Sequence, residues 1–145
     1  MIKIHFAVVG KLKESFYRDA VAEYQKRLSR FADVSLCEVA ECATLKEEAA
    51  LLKRQCRGFV VALAVEGKKY DSEGFAAKLK ELTDAGREVT FVIGSSCGLD
   101  ESFKRAADLR VSFSDMTFPH QLMRVILFEQ VYRAFMINTG STYHK

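Results

Sequence analysis

The stretch LRVSFSDMTFPHQLMRVILFEQVYRAFMI, residues 109 to 137, opens as a strand and ends as a helix. Its first ten residues, 109 to 118, are rich in the β-branched and aromatic side chains that suit a pleated sheet. Pro119, the single proline of the chain, then fixes φ where a helix is about to begin. From Leu122 to Ile137 only Arg124, Glu129, Gln130 and Arg133 are polar among sixteen residues, and on a helical projection Arg124 falls away from the other three. Such a helix has no broad solvated face. Something must cover it, and a second copy of the chain is the expected cover; a helix buried inside one copy is the alternative.

Four further apolar runs precede this stretch: IKIHFAVVG (2 to 10), VSLCEVA (34 to 40), GFVVALAV (58 to 65) and EVTFVIG (88 to 94). Several are apolar at consecutive positions, the pattern of strands covered on both faces in a largely parallel sheet. Helical patterns separate them. Phe16, Ala20, Val21, Tyr24, Leu28 and Phe31 recur at three and four, so one stripe of a first helix is expected to face the sheet. Thr44 followed by Glu47 reads as a capping box for a second helix ending near Arg57. A third runs from Ser72 to about Gly86, and a fourth from Asp100 to Asp108. The alternation implies an α/β fold, a mostly parallel sheet with helices on both faces.

Composition agrees with one domain spanning residues 1 to 145. With 49% hydrophobic residues and 28% charged, the chain has no disordered profile. No apolar run approaches the about 20 residues that cross a bilayer, and Met1-Ile2-Lys3 leads into no secretory signal, so a soluble cytoplasmic protein is expected. Cys37, Cys42, Cys56 and Cys97 lack metal-ligand spacing and are expected to be reduced thiols. A net charge of +3 permits a polyanionic partner without establishing one.

Dinucleotide, P-loop and zinc-protease motifs are absent. What stands out is the loop Gly94-Ser95-Ser96-Cys97-Gly98 after the fourth strand, because ligands bind at the carboxyl ends of parallel strands. The same loop matches G-x-S-x-G, the nucleophile elbow. A hydrolase would use Ser96, an acid such as Asp108 or Asp115, and His120 or His144; against it, no HGGG-type oxyanion segment is present. His120 and Arg124 lie one helical turn apart and could share a cleft with the loop, or serve packing and a structural ion pair. The chain finishes in Tyr143-His144-Lys145, an aromatic, an imidazole and a cation together.

Taken together, GFVVALAVEGK, VTFVIG with SSCGLDE, SFSDMTFPHQLMRVILFEQVYRAF and the terminal Tyr143-His144-Lys145 resemble the RlmH family of SPOUT-class methyltransferases, which act on 23S ribosomal RNA. IHFAVVGKLKE and YRDAVAEYQKRL extend the resemblance over essentially the whole chain. It implies an α/β knot fold with a C-terminal trefoil, a homodimer, and S-adenosylmethionine as methyl donor with no metal. By matching positions, donor contacts fall on Leu63, Gly94, Phe113, Ser114, Asp115, Met116, Thr117 and Phe118. The implied reaction is methylation of N3 of a pseudouridine. Tyr143 and His144 would position substrate or handle its proton in the site of a partner subunit, and Arg124 would contact phosphate or base. One departure is Ser95, where the family commonly has a second glycine; a positive φ there would strain serine and reshape the donor pocket. A non-catalytic RNA-binding relative is the alternative that this departure raises.

Overall fold

The computed structural model describes all residues, 1 to 145. Five strands, β1 (Lys3–Val9), β2 (Asp33–Val39), β3 (Phe59–Lys69), β4 (Val89–Ile93) and β5 (Leu109–Ser112), form one sheet. Its order is β2-β1-β4-β3-β5 and every pairing is parallel. Five helices alternate with them: α1 (Ser15–Leu28), α2 (Leu45–Gln55), α3 (Ser72–Asp84), α4 (Glu101–Ala106) and α5 (His120–Asn138). The α/β architecture is the one read from the alternation of apolar runs.

Period explains why the strands lack a polar face. Ile4, Phe6 and Val8 of β1 join Val89, Phe91 and Ile93 of β4 in the larger core, under α1, α3 and α5. The intervening Ala7, Val9 and Val92 join Leu52 of α2 and Leu99 in a smaller core on the opposite face. All five residues of β4 are buried. Half of the expected capping box is present: the Thr44 hydroxyl accepts from the Glu47 amide at 3.1 Å, while the Glu47 carboxylate accepts from that hydroxyl at 3.0 Å rather than from the Thr44 amide. Asp71 and Asp100 cap α3 and α4 in the same way.

Three readings are corrected. Phe16 is 63% exposed rather than part of the sheet-facing stripe; Val21 and Leu28 carry that stripe, and the Phe16 ring packs beside Tyr17. β5 stops at Ser112, six residues before the end of its apolar run at Phe118. There the Ser112 hydroxyl donates to the Ser114 carbonyl and the Ser114 hydroxyl accepts from the Met116 amide, local bonds that compete with a ladder. β3 instead continues to Lys69, with a large irregularity: Leu63 and Lys68 both register with Val111 of β5.

α5 lies against α1, α3 and the sheet, and none of its residues is fully exposed. Phe128 stacks on Phe6 of β1 with ring centroids 3.9 Å apart, and Phe135 on Phe31 at 5.4 Å. Elements of the same chain thus cover much of the apolar surface for which a second copy was the expected cover. Arg124 is the decisive exception to the apolar interior. It is 0% exposed, with Nη1 on Glu38 Oε2 at 2.7 Å and Nη2 on the carbonyls of Val9 and Gly10 at 3.3 and 3.0 Å. Its guanidinium joins α5 to the ends of β1 and β2, the structural ion pair that the sequence left open as one of two roles for this residue. Burial lowers its proton affinity and Glu38 opposes that shift.

Because Glu38 is partly hydrated and Arg124 is not, the two partners are not equivalent. Glu38→Leu, which strands a buried cation, is expected to lower the unfolding free energy by about 3 kcal/mol. Adding Arg124→Met should recover part of that loss. Urea denaturation of both single variants and the double variant tests this, and strictly additive losses would contradict the pairing.

Candidate active site

A cleft opens at the carboxyl ends of the central and edge strands, where α5 begins. Leu63, Ala64 and Val65 enter it from the β3 irregularity, and Ile93, Gly94 and Ser95 from the end of β4. Phe113, Ser114, Met116, Thr117 and Phe118 form its third side, with His120 and Met123 of α5 beneath. The structure therefore brings together seven of the eight positions matched to donor contacts. Asp115 alone is not in the lining; its carboxylate pairs with Lys69 at 2.5 Å on the surface.

The Gly94–Gly98 loop is a tight turn closed by the Gly98 amide on the Ser95 carbonyl at 2.9 Å. A Cβ at Gly94 would stand 2.3 Å from the Gly98 carbonyl oxygen, so only glycine allows the two backbones to approach. Gly98 has φ of 88°, which glycine adopts freely. Ser95 is outside the positive-φ region, as is every non-glycine residue, so the serine that replaces the expected second glycine carries no such strain. The same fact removes the strained backbone of a nucleophile elbow at Ser96. His120 shares the cleft with this loop, but two of the other hydrolase candidates are engaged elsewhere. Asp108 accepts from the Val60 amide near the opposite end of β3, while His144 bonds to Arg133.

Residues 113 to 118 differ from the rest of the cleft wall in their backbone hydrogen bonding. No N–H or C=O in this segment bonds to another backbone group; the local Ser112, Ser114 and Met116 bonds are its only internal partners. Backbone groups left unpaired at a cleft wall are free to hydrogen-bond a ligand. At the base of the cleft, burial first and Arg124 second push the His120 imidazole below its usual pKa, against Glu41. No three His, Cys, Asp or Glu side chains form a metal-holding group.

Tyr143 and His144 do not line this cleft. The tail folds against α5: the Tyr143 hydroxyl donates to Glu129 Oε2 at 2.8 Å, and its ring meets Tyr132 edge-on at 5.1 Å. Arg133 binds Glu129 through Nε and Nη2 at 3.1 and 3.2 Å and reaches His144 Nδ1 through Nη1 at 3.0 Å. Burial, reinforced by the Glu129 carboxylate, pushes the Tyr143 phenol up to about 12. Glu129 and Arg133 were not among the site residues read from sequence. The available signal was an opposite-charge pair four apart on a helix otherwise almost wholly apolar.

Comparison with known proteins accords with this geometry. Residues 2–144 match the family described as "Predicted SPOUT methyltransferase". A protein named ribosomal RNA large subunit methyltransferase H from Streptococcus equi subsp. zooepidemicus is 49% identical, the match covering 99% of this chain and 100% of the relative. A protein of the same name from Leuconostoc citreum is 44% identical over the same shares. Among solved structures, a probable methylase family protein from Haemophilus influenzae superposes with a TM-score of 0.62 at 11% identity, covering 98% of this chain and 70% of the other. A putative methylase family protein from Neisseria gonorrhoeae gives 0.56 at 8% identity, covering 99% and 86%. At such identities the structural likeness speaks for the fold, while the sequence match over nearly every residue speaks for descent: the chain belongs to the SPOUT methyltransferase family.

Proposed function

We propose that the protein transfers the methyl group of S-adenosylmethionine to N3 of a pseudouridine in 23S ribosomal RNA, working as a homodimer in the cytoplasm. The observation that carries the donor half is that, apart from the Ser114 carbonyl and the Met116 amide, the backbone of residues 113 to 118 has no internal partner where the segment borders the cleft. The acceptor half rests on the large-subunit RNA named in the full-length relatives.

When bound, the donor supplies a methyl carbon already activated by a sulfonium, so the reaction needs placement and removal of the imide proton more than further activation. Leu63, Leu99, Phe118 and Met123 offer apolar walls that exclude water, and the segment from Phe113 to Phe118 offers donors and acceptors for the polar edges of a nucleoside. Asp115 contributes its backbone to this segment and its side chain to the surface. Burial and Arg124 bias His120 toward its uncharged form, which lessens repulsion of a cationic donor. Gly94 keeps the backbone close enough to be read directly.

Tyr143 keeps its proton at neutral pH and donates it to Glu129, so its phenol oxygen meets the substrate as a hydrogen-bond acceptor and not as the base. Since the tail lies outside the cleft of its own chain, the proposal has a second copy deliver Tyr143 and His144 to it. Half-buried Leu122, Val125 and Met136 on α5 give that copy an apolar surface to pack on. The reading includes the threaded C-terminal trefoil of the family, which the position of α5 between α1 and α3 supports. A donor-free RNA-binding role loses its motive with the ordinary backbone of Ser95.

Calorimetry with S-adenosylmethionine should register binding to the unaltered protein and none to Gly94→Ala, whose methyl group collides with Gly98; equal heats would exclude the cleft as the donor site. Methylation of large-subunit RNA from cells lacking the enzyme should fall by about a hundredfold in His144→Ala, the lower range for loss of a proton-handling group. Undiminished turnover would take the tail out of the reaction. In spectrophotometric titration, the difference between the unaltered protein and Tyr143→Phe should reveal a phenol titrating near 12. Glu129→Gln removes the anion that reinforces burial in opposing phenolate formation, so this titration should move part of the way down; no movement would remove Glu129 as a contributor and leave burial alone.

A further inference from the structure

A second cavity of about 360 Å³ adjoins the cleft and shares Val111 and Phe113 with it. It is bounded by the turn between β3 and α3, the first turn of α3, and α5. Tyr70, Phe75 and Phe113 give it aromatic walls, the last two meeting edge-on at 87° with centroids 6.1 Å apart. Between them stands a polar pair, the Ser72 hydroxyl donating to Gln130 Oε1 at 3.0 Å. The amide nitrogen of Gln130 has only a long contact to Glu129, 3.4 Å, so it retains donor capacity. Outside the lining but against one of its walls, Lys68 holds its ammonium 4.8 Å from the Tyr70 ring centroid, exposed and without a carboxylate partner. Its neighbour Lys69 is already paired with Asp115.

We infer that this cavity anchors an unpaired nucleobase of the RNA substrate, one flanking the methylated nucleotide, a proposal that rests on the RNA methyltransferase reading above. Aromatic faces suit any base, a carboxamide and a hydroxyl suit its hydrogen-bonding edge, and a free ammonium suits the adjoining phosphate. The volume falls at the lower end of small-molecule sites, enough for a base with its sugar. Val111 and Phe113 stand as a common wall between cavity and cleft, so a base held here is beside the acceptor and out of line with the methyl carbon. Its contribution is to fix the strand so that the next nucleotide meets the donor, and Tyr70, Gln130 and Lys68 are positioning residues.

The test uses the full-length protein and an RNA stem-loop carrying the target. Tyr70→Ala should raise KM for RNA by about fivefold or more, the lower range for loss of one base stack, while kcat and S-adenosylmethionine affinity stay within about twofold. Tyr70→Phe should restore the unaltered KM. Lys68→Gln, an exposed substitution that leaves folding intact, should reduce the slope of log affinity against log salt by about 0.7. Removing the base at one flanking nucleotide should reproduce the Tyr70→Ala defect, and Tyr70→Ala should add nothing on that abasic RNA. An unchanged KM in Tyr70→Ala, an unchanged salt slope in Lys68→Gln, or additive losses on every abasic RNA would each overturn the anchoring role. Failure of the unaltered protein to methylate the RNA would instead overturn the underlying function and this site with it.

Discussion

The constraint on which the structure turns is the burial of α5. A helix of nineteen residues without one exposed position must lie in the middle of the protein, and the only sufficient cover is the face of the sheet between α1 and α3. Yet the strand that precedes it, β5, sits at the edge. The chain from Phe113 to Pro119 therefore has to travel from the edge of the sheet toward its centre, over the carboxyl ends of its neighbours. A segment on that course cannot stay in a ladder, so its backbone groups are released. Ligand-binding capacity is in this sense a by-product of topology: the path that buries the helix also lines the cleft with unpaired donors and acceptors.

The electrostatics follow the same division between interior and rim. Arg124, next to the cleft by sequence, is drawn inward because the carbonyls at the end of β1 and the carboxylate of Glu38 offer the partners that a buried cation requires. Glu129 and Arg133, on the partly exposed part of the same helix, instead organise the C-terminal tail, holding the phenol of Tyr143 protonated and the imidazole of His144 in reach of a guanidinium. One helix thus carries a structural cation near its start and a pre-set hydrogen-bonding cluster near its end. Neither group lies in the cleft of its own chain, which is why the proposed reaction needs two copies.

The donor loop illustrates how a departure from a family pattern can be silent. A second glycine matters only if its position demands a left-handed backbone or the absence of a side chain. Here Gly94 meets the second demand and Gly98 the first, leaving Ser95 with ordinary geometry and its hydroxyl accepting from the Cys97 amide.

Much was legible in the residues alone. Consecutive apolar positions in several of the five runs pointed to strands covered on both faces, as in β1 and β4, and helical spacing and caps specified the crossovers. These are local properties, set by period, propensity and turn chemistry, and they survive folding unchanged. Other features depended on which atoms become neighbours. The end of β5 at Ser112, the exposure of Phe16, the inward turn of Arg124 and the pairing of Tyr143 with Glu129 were decided by the tertiary structure. An apolar run does not say where its ladder partner stops, and a charged side chain does not say whether a carboxylate awaits it inside or water outside. Such outcomes are differences between two solvation environments, and a linear pattern contains only one side of that difference.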